Sequence, residues 1–345
     1  MSVTVEVGQE PQSAGAVLMV RPRCFGFNPQ TAASNSFQRA PGSPGVAEAG
    51  VDWGGVDQGR IDAGRIDRGD RGQQTQALRE FDGLADALQR VGVEVLVAED
   101  TESPFKPDAI FPNNWVSFHR DGTVALYPMM AVNRRAERRE EVLERVVREG
   151  SFHISRTVDL THREAQDKFL EGTGSVVLDR THRTAYASPS PRTDLDVLGE
   201  FAQQLDYELV TFDAIDAAGQ PVYHTNVAMA IGSRFAVVCG EAIAQAAHRG
   251  AVFSKLRASG HDVIDISLGQ MLQFAGNVLE LAAPGGAVIA LSSAAWSCLE
   301  PQQRRVVESY AGVVPVPIPT IERIGGGGVR CMLAEIHLPK RDRSM

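Results

Sequence analysis

The sequence predicts an α/β chain of about five similar units, each read as strand, turn, strand and helix. Three observations predict it. Hydrophobic residues make up 43% and charged residues 22% of the 345 residues, the balance of an ordinary globular protein. No run of about 18 uninterrupted apolar residues occurs, which argues against a membrane-spanning helix. Hairpin and helix patterns alternate at intervals of ~50 residues. Closed in a ring, such units would make a propeller-like α/β fold with one central site.

The elements follow in order. "AGAVLMVRP" reads as a strand and "QTQALREFDGLADALQRVG" as a helix, with "VEVLVAED" a second strand. "AIFPNNWVSFH-RDG-TVALYPM" is a hairpin turning on Asp-Gly, and "RAERREEVLERVVREG" a helix ended by glycine. "SVVLD-RTH-RTAYASPS" with "TDLDVLGEFAQQLD", and "YHTNVAMAIGSRFAVVCGEAI" with "EAIAQAAHRGAVFSKLRASG", repeat the hairpin-helix order. "NVLELAAPGGAVIALSSAA" with "EPQQRRVVESYAG" repeats it again. "VVPVPIP" then leads through four glycines to an expected final strand, "VRCMLAEIHLP". The chain is read as a single catalytic domain, residues 1–345, interrupted at about 40–75 by a Gly/Asp-rich surface insertion expected to be mobile. Inside it "VDWGGVDQGRIDAGRIDRGD" repeats an Ile/Val-Asp unit every five residues, a spacing that does not match the nonapeptide calcium repeats.

A net charge of −9 and a pI near 5.4 exclude the dense basic face of a nucleic-acid binder. The arginines of "NRRAERREEVLERVVRE" alternate with glutamates and read as a charge-paired helix. The N-terminus lacks a basic start followed by an apolar run, so a secretory signal is not expected. Cys24, Cys239, Cys298 and Cys331 have neither disulfide-scaffold nor zinc spacing. The expectations are a cytoplasmic protein with no metal, no organic cofactor, no nucleic-acid partner and no membrane contact. A homodimer is left open.

The stretch "IERIGGGGVRCMLAEIHLP" raises the question of chemistry. A phosphate cradle needs glycines that open a helix, and here the pattern after Gly328 reads as β. The glycines then serve as a loop, or as an unhindered approach to Cys331. A nucleophilic cysteine needs a base and a group that orients the base. Among eight histidines, His224 in "PVYHTNV" stands out, beside small polar residues at the start of an apolar stretch, although a satisfied core histidine is the commoner reading of such a residue. Glu171 in "FLEGTGSVVLD" opens a small-residue turn before an apolar strand, where a carboxylate is costly unless paired. Asn113 and Asn114 in "FPNNW" read as a turn or as buried directional amides.

Taken in order, "FPNNW", "LEGTGS", "SPSPRT", "YHTNV" and "GGGGVRCMLAE" resemble the guanidino-group-modifying superfamily of arginine deiminases, dimethylarginine hydrolases and amidinotransferases, and within it the citrulline hydrolase branch. The resemblance runs from about residue 17 to 339 outside the insertion. It implies a five-bladed α/β-propeller (pentein) with the site on the pseudo-symmetry axis. It makes Cys331 the nucleophile, His224 the general acid/base and Glu171 the group that orients and charges His224. No metal or cofactor is implied.

Two departures bear on the substrate. Arginine deiminases carry aspartates where this chain has Asn114 and Asn226; such carboxylates grip a cationic guanidinium, and facing a neutral urea they would lack a countercharge. Asparagines can both donate to and accept from a urea. Arg192 in "SPRT" stands where dimethylarginine hydrolases carry a carboxylate-binding arginine, and Arg135 in "VNRRAERR" is the second candidate for that task. Asn28 and Asn35 read as pocket-closing residues or as an N-terminal turn. The expected activity is cysteine-dependent hydrolysis of citrulline to ornithine, CO2 and ammonia through a covalent adduct. The rivals are arginine dihydrolysis or deimination, amidino transfer, and a catalytically silent binding protein, against which the intact Cys331, His224 and Glu171 argue.

Overall fold

The computed structural model describes residues 10–40 and 71–341. The 51–70 repeat therefore lies outside the described residues. The first long helix, Arg71–Arg90, already occupies the end of the span read as insertion.

Among the described residues the strands form five three-stranded sheets. In four of them the chain makes a hairpin, crosses over through a helix and returns as a third strand parallel to the second. The second sheet shows the plan: Val116–Phe118 and Thr123–Leu126 pair antiparallel, the helix Glu140–Glu149 crosses over, and Arg156–Asp159 pairs parallel. The third sheet uses Val176–Asp179, Thr184–Ala187 and Glu208–Thr211 around the helix Leu195–Leu205. The fourth uses Met229–Ile231, Phe235–Val238 and Asp262–Asp265 around Ala246–Ala258. The fifth uses Leu279–Ala283, Gly286–Ser292 and Gly312–Val316 around Pro301–Tyr310. A parallel return needs a crossover of a dozen or more residues, which explains why each unit carries a helix.

The remaining sheet is shared by the two ends of the chain. Ala16–Arg21 pairs parallel with Glu94–Glu99, and antiparallel with Ala334–Glu335 (Val17 opposite Glu335). This brings the residues around Cys331 into line with those that precede the first strands of the other sheets.

Burial separates the strands by role. Val116–Phe118, Val176–Asp179 and Met229–Ile231 are buried along their whole length, whereas Arg156–Asp159 and Glu208–Thr211 keep most side chains in contact with solvent. Strands covered on both faces read as continuous apolar runs, and this is why the inner hairpins are the most visible feature of the sequence.

One expected strand is corrected. Residues Val329–Met332 form a 3-10 turn, closed by the Cys331 amide on the Gly328 carbonyl at 3.1 Å, and the strand is limited to Ala334–Glu335. The apparent β alternation misled because residues 329–338 are buried throughout, so no solvent face exists to set a period.

Phe201 is completely buried on the helix Leu195–Leu205, stacked against Tyr207 with centroids 5.8 Å apart. Phe201→Ala should lower unfolding free energy by about 3–5 kcal/mol in urea titration, the usual cost of emptying a close-packed aromatic site.

Candidate active site

The site is assembled from one recurring position, the turn just before the first strand of a sheet. Pro112–Asn114 precedes Val116, Gly172–Ser175 precedes Val176, Thr225–Ala228 precedes Met229, and Val329–Met332 precedes Ala334. Asn277 stands two residues before Leu279. These turns are short and buried, so small side chains are required where they meet. At Gly174 a Cβ would lie 2.5 Å from Asn114 Nδ2 and 2.8 Å from His224 Nδ1. Only glycine lets the three turns approach this closely.

Glu171 is fully buried and is the hub of the charges. Its Oε2 lies 2.9 Å from His224 Nε2, 3.4 Å from Arg192 Nη1 and 3.6 Å from Arg134 Nη1, while Oε1 accepts the Met130 amide at 3.1 Å. Burial raises the carboxyl, but Arg192, His224 and Arg134 together outweigh it and hold the group well below the ordinary carboxylate range. With Nε2 committed to Glu171, the other ring nitrogen of His224 is the one beside Gly174 and Asn114. Burial pushes His224 down to about 4 despite the upward pull of Glu171. The imidazole is neutral at pH 7, so it can accept a proton there.

Cys331 is 3% exposed, and burial pushes its thiol up. Its Sγ lies 3.3 Å from Asn277 Nδ2 and 3.7 Å from Asn226 Nδ2. Cys331, His224, Asn114 and Arg192 line one cavity together with Asn35, Asp108, Phe111, Arg134, Tyr223 and the glycines 325–327. Gly326 takes a left-handed φ of +65°, and a Cβ there would meet Asn35 Nδ2 at 2.6 Å. Asn35 donates to the Gly326 carbonyl at 3.2 Å, and Tyr223 donates its hydroxyl to the same oxygen at 2.6 Å. The glycine run is thus a cavity wall whose backbone is held from two sides.

Asn114 gives its amide oxygen to Arg134 Nη1 at 2.9 Å and an N–H to Asn113 Oδ1 at 3.1 Å. Asn113 does not line the cavity; it ties the turn to Thr173 Oγ1 at 3.3 Å. Arg134 is grasped by Glu137 through Nε at 2.9 Å and Nη2 at 3.0 Å. Burial, partly offset by Arg134, raises Glu137 to about 7. Arg192 donates to Ser34 Oγ at 2.9 Å and the Thr31 carbonyl at 2.8 Å, and lies 5.0 Å from the Tyr223 ring centroid.

Of the residues singled out from sequence, Cys331, His224, Glu171, Asn114, Asn226 and Arg192 converge. Arg135 does not. Its Nε donates to the Met129 carbonyl at 3.1 Å and lies 3.4 Å from Glu164 Oε2, away from the cavity. Its neighbour Arg134 lines the cavity instead, because adjacent residues on the turn Val132–Arg135 point to different sides, but its N–H groups are engaged by protein partners. Asn35 lines the cavity, whereas Asn28 supports Asp108, donating to its Oδ2 at 2.7 Å. Asp108, Tyr223 and Asn277 carried no distinguishing motif, although "GN" before an apolar stretch marked the same turn position for Asn277.

Comparison with known proteins places the chain. A family model described as N,N dimethylarginine dimethylhydrolase, eukaryotic, matches residues 64–338. The chain belongs to this family. No curated protein sequence matches the chain. Among solved structures, the N-terminal domain of ArgZ, covalently bound to a reaction intermediate, has a TM-score of 0.64 at 17% identity, covering 94% of this chain and 99% of that one. ArgZ is described as an arginine dihydrolase from the ornithine-ammonia cycle in cyanobacteria. AgrE in complex with ornithine and NAD+ gives 0.67 at 17% identity, and this chain, 95% covered, spans 40% of it. A dimethylarginine dimethylaminohydrolase variant, as its adduct with S-methyl-L-thiocitrulline, gives 0.56 at 14% identity, covering 94% and 100%. The chain shares the mixed α/β fold of five small sheets with these neighbours.

The His224 environment has a measurable consequence. An unfolded histidine titrates near 6.5, whereas native His224 titrates near 4. The unfolded state therefore takes up the proton first, and this residue makes stability fall as pH drops from about 6.5 toward 4, with no effect above. Histidine NMR titration should find the His224 ring neutral down to about pH 4.

Proposed function

We propose that the chain is a thiol-dependent hydrolase of an amino acid with a ureido or guanidino side chain, citrulline first among them. The observation that carries the reading is the single cavity that holds Cys331 and His224, with His224 in turn fixed by buried Glu171. That is a nucleophile, a base and an orienting carboxylate in one site.

The mechanism follows from the atoms. Neutral His224 takes the Cys331 proton as sulfur attacks the ureido carbon, giving a tetrahedral adduct. The imidazolium, stabilised by Glu171, returns the proton to the departing nitrogen and leaves a carbamoyl thioester. His224 next accepts a proton from water, which attacks the thioester and restores the thiol. The carbamate product loses CO2. Citrulline and one water become ornithine, CO2 and ammonia.

The other end of the substrate finds complementary charge. Arg134 has its N–H groups taken by Glu137, Asn114, Glu171 and the Phe111 carbonyl. Arg192 keeps N–H groups beyond its bonds to Ser34, Thr31 and Glu171, and is the partner proposed for the α-carboxylate. Asp108 lines the cavity, and its buried Oδ1 has no hydrogen-bond partner among the described residues, which suits an α-ammonium. Citrulline is favoured at the reacting end because Arg134 holds the Asn114 oxygen and Asn113 takes one of its N–H groups, leaving the second N–H as what Asn114 can offer a substrate. A donor there suits the ureido C=O and opposes a guanidinium, which has only donors.

A second reading, hydrolysis of a methylated arginine to citrulline and an amine, is favoured by the family match over residues 64–338. The proposal also includes closure of the five sheets about a common axis, supported by the equivalent placement of the site turns, and action in a reducing cytoplasmic compartment, supported by four free cysteines. No helix among the described residues is long and apolar enough to cross a membrane.

An ornithine, citrulline and ammonia assay across citrulline, arginine and dimethylarginine tests the reading. Turnover of arginine with citrulline untouched would sink the ureido preference. Cys331→Ala should abolish ammonia release, and activity equal to the unaltered protein would exclude the thiol mechanism. Asn114→Asp should shift the citrulline-to-arginine ratio of kcat/KM toward arginine by about ten-fold or more, the effect of replacing a buried donor with a carboxylate.

A further inference from the structure

A buried thiol needs help to ionise, and the usual helper is a cation. None touches Cys331 among the described residues. His224, titrating near 4, is neutral at pH 7. Arg330, adjacent in sequence, donates to the Leu333 carbonyl at 2.8 Å and forms an ion pair with Glu335, so it favours the thiolate only through space. Arg192 and Arg134 flank Glu171. A neutral ureido substrate would bring no positive charge of its own.

Two amides do reach the sulfur, and one of them is fixed in direction. Asn277 Nδ2 lies 3.0 Å from the main-chain carbonyl of Asn226 and 3.3 Å from Cys331 Sγ. A carbonyl only accepts, so the nitrogen end of the amide must face it. One N–H of Asn277 then goes to that oxygen and the second reaches the sulfur at 3.3 Å, nearer than Asn277 Oδ1, to which the protonated thiol can donate at 3.6 Å; a thiolate can only accept, and so takes the N–H. The reversed amide would set oxygen against oxygen. Its position is defined further by the Asn277 main-chain amide, which donates to the Phe274 carbonyl at 2.8 Å, with Phe274 at an unusual φ of +60°. Gly328 leaves the space that Asn277 Oδ1 occupies; a Cβ there would sit 2.6 Å from that oxygen. Asn226 Nδ2, at 3.7 Å, is the second and longer donor.

We infer that Asn277 is the principal donor to the Cys331 thiolate, so that the nucleophile is stabilised by a fixed neutral amide rather than by an ion pair. The inference rests on the reading of Cys331 as the nucleophile, but it concerns the free enzyme and needs no substrate. The same N–H gives the sulfur a fixed direction of approach, and it remains in place when the thioester forms.

The test is the rate of Cys331 alkylation by iodoacetamide as a function of pH, followed by mass spectrometry of the peptide that contains it. Asn277→Ala should move the midpoint up by about one pH unit, a ten-fold loss of thiolate at neutral pH, while partly exposed Cys24 keeps its profile. Asn277→Ser, which retains a hydroxyl donor, should fall between the two. Unchanged midpoints in both variants would overturn the inference whether or not the enzyme hydrolyses citrulline; inactivity of the unaltered enzyme on every ureido and guanidino substrate would instead overturn the functional reading. Should the variants fail to fold, the side-chain amide of Asn277 in 15N-asparagine-labelled unaltered protein should shift with the same midpoint as Cys331 alkylation. An amide signal that stays flat through that midpoint would overturn the inference equally.

Discussion

The buried carboxylate of Glu171 is the constraint on which the rest of the site depends. A carboxylate with no exposure to water costs several kcal/mol unless its charge and lone pairs are met. Its partners come from three sheets' worth of chain: Met130 and Arg134 follow the hairpin of the second sheet, Arg192 follows that of the third, and His224 precedes that of the fourth. Satisfying one side chain therefore fixes the relative placement of three units. It also sets the protonation of the site, since it consumes the Nε2 hydrogen of His224 and leaves the other nitrogen as an acceptor.

From that hub the polarity of the site propagates outward. Arg134, held by Glu137 and drawn toward Glu171, takes the oxygen of Asn114 and so fixes the direction of that amide. On the sulfur side the Asn226 carbonyl fixes Asn277, whose amide nitrogen lies 3.3 Å from Cys331 Sγ. The amides beside Cys331 and His224 are thus oriented by their protein partners, a property of hydrogen-bond direction rather than of residue type.

Much of the fold was legible because each inner hairpin is covered on both faces and appears as a short apolar run between turn residues, with an amphipathic helix after it. The region around Cys331 was misread as a continuous strand because burial there is uniform and no alternation survives. In the site, Cys331, His224 and Glu171 were visible as reactive residue types at the mouths of apolar strands. Arg134 was missed in favour of Arg135, since two adjacent arginines differ in direction only once the turn is built. Asp108 and Asn277 were missed because an isolated polar residue beside a strand carries no signal until its neighbours are known.

What the sequence by itself determined is the inventory: the periodicity of the units, a cysteine, a histidine and an acid beside apolar stretches at 331, 224 and 171, and the absence of carboxylates at positions 114 and 226. These are local properties, readable because side-chain period and residue chemistry do not depend on distant contacts. Only the tertiary structure decided the directions. Whether an asparagine donates or accepts, and which of two arginines reaches the cavity, depends on partners 20 to 54 residues away in the chain. A planar amide or guanidinium has no preferred orientation until such a partner imposes one.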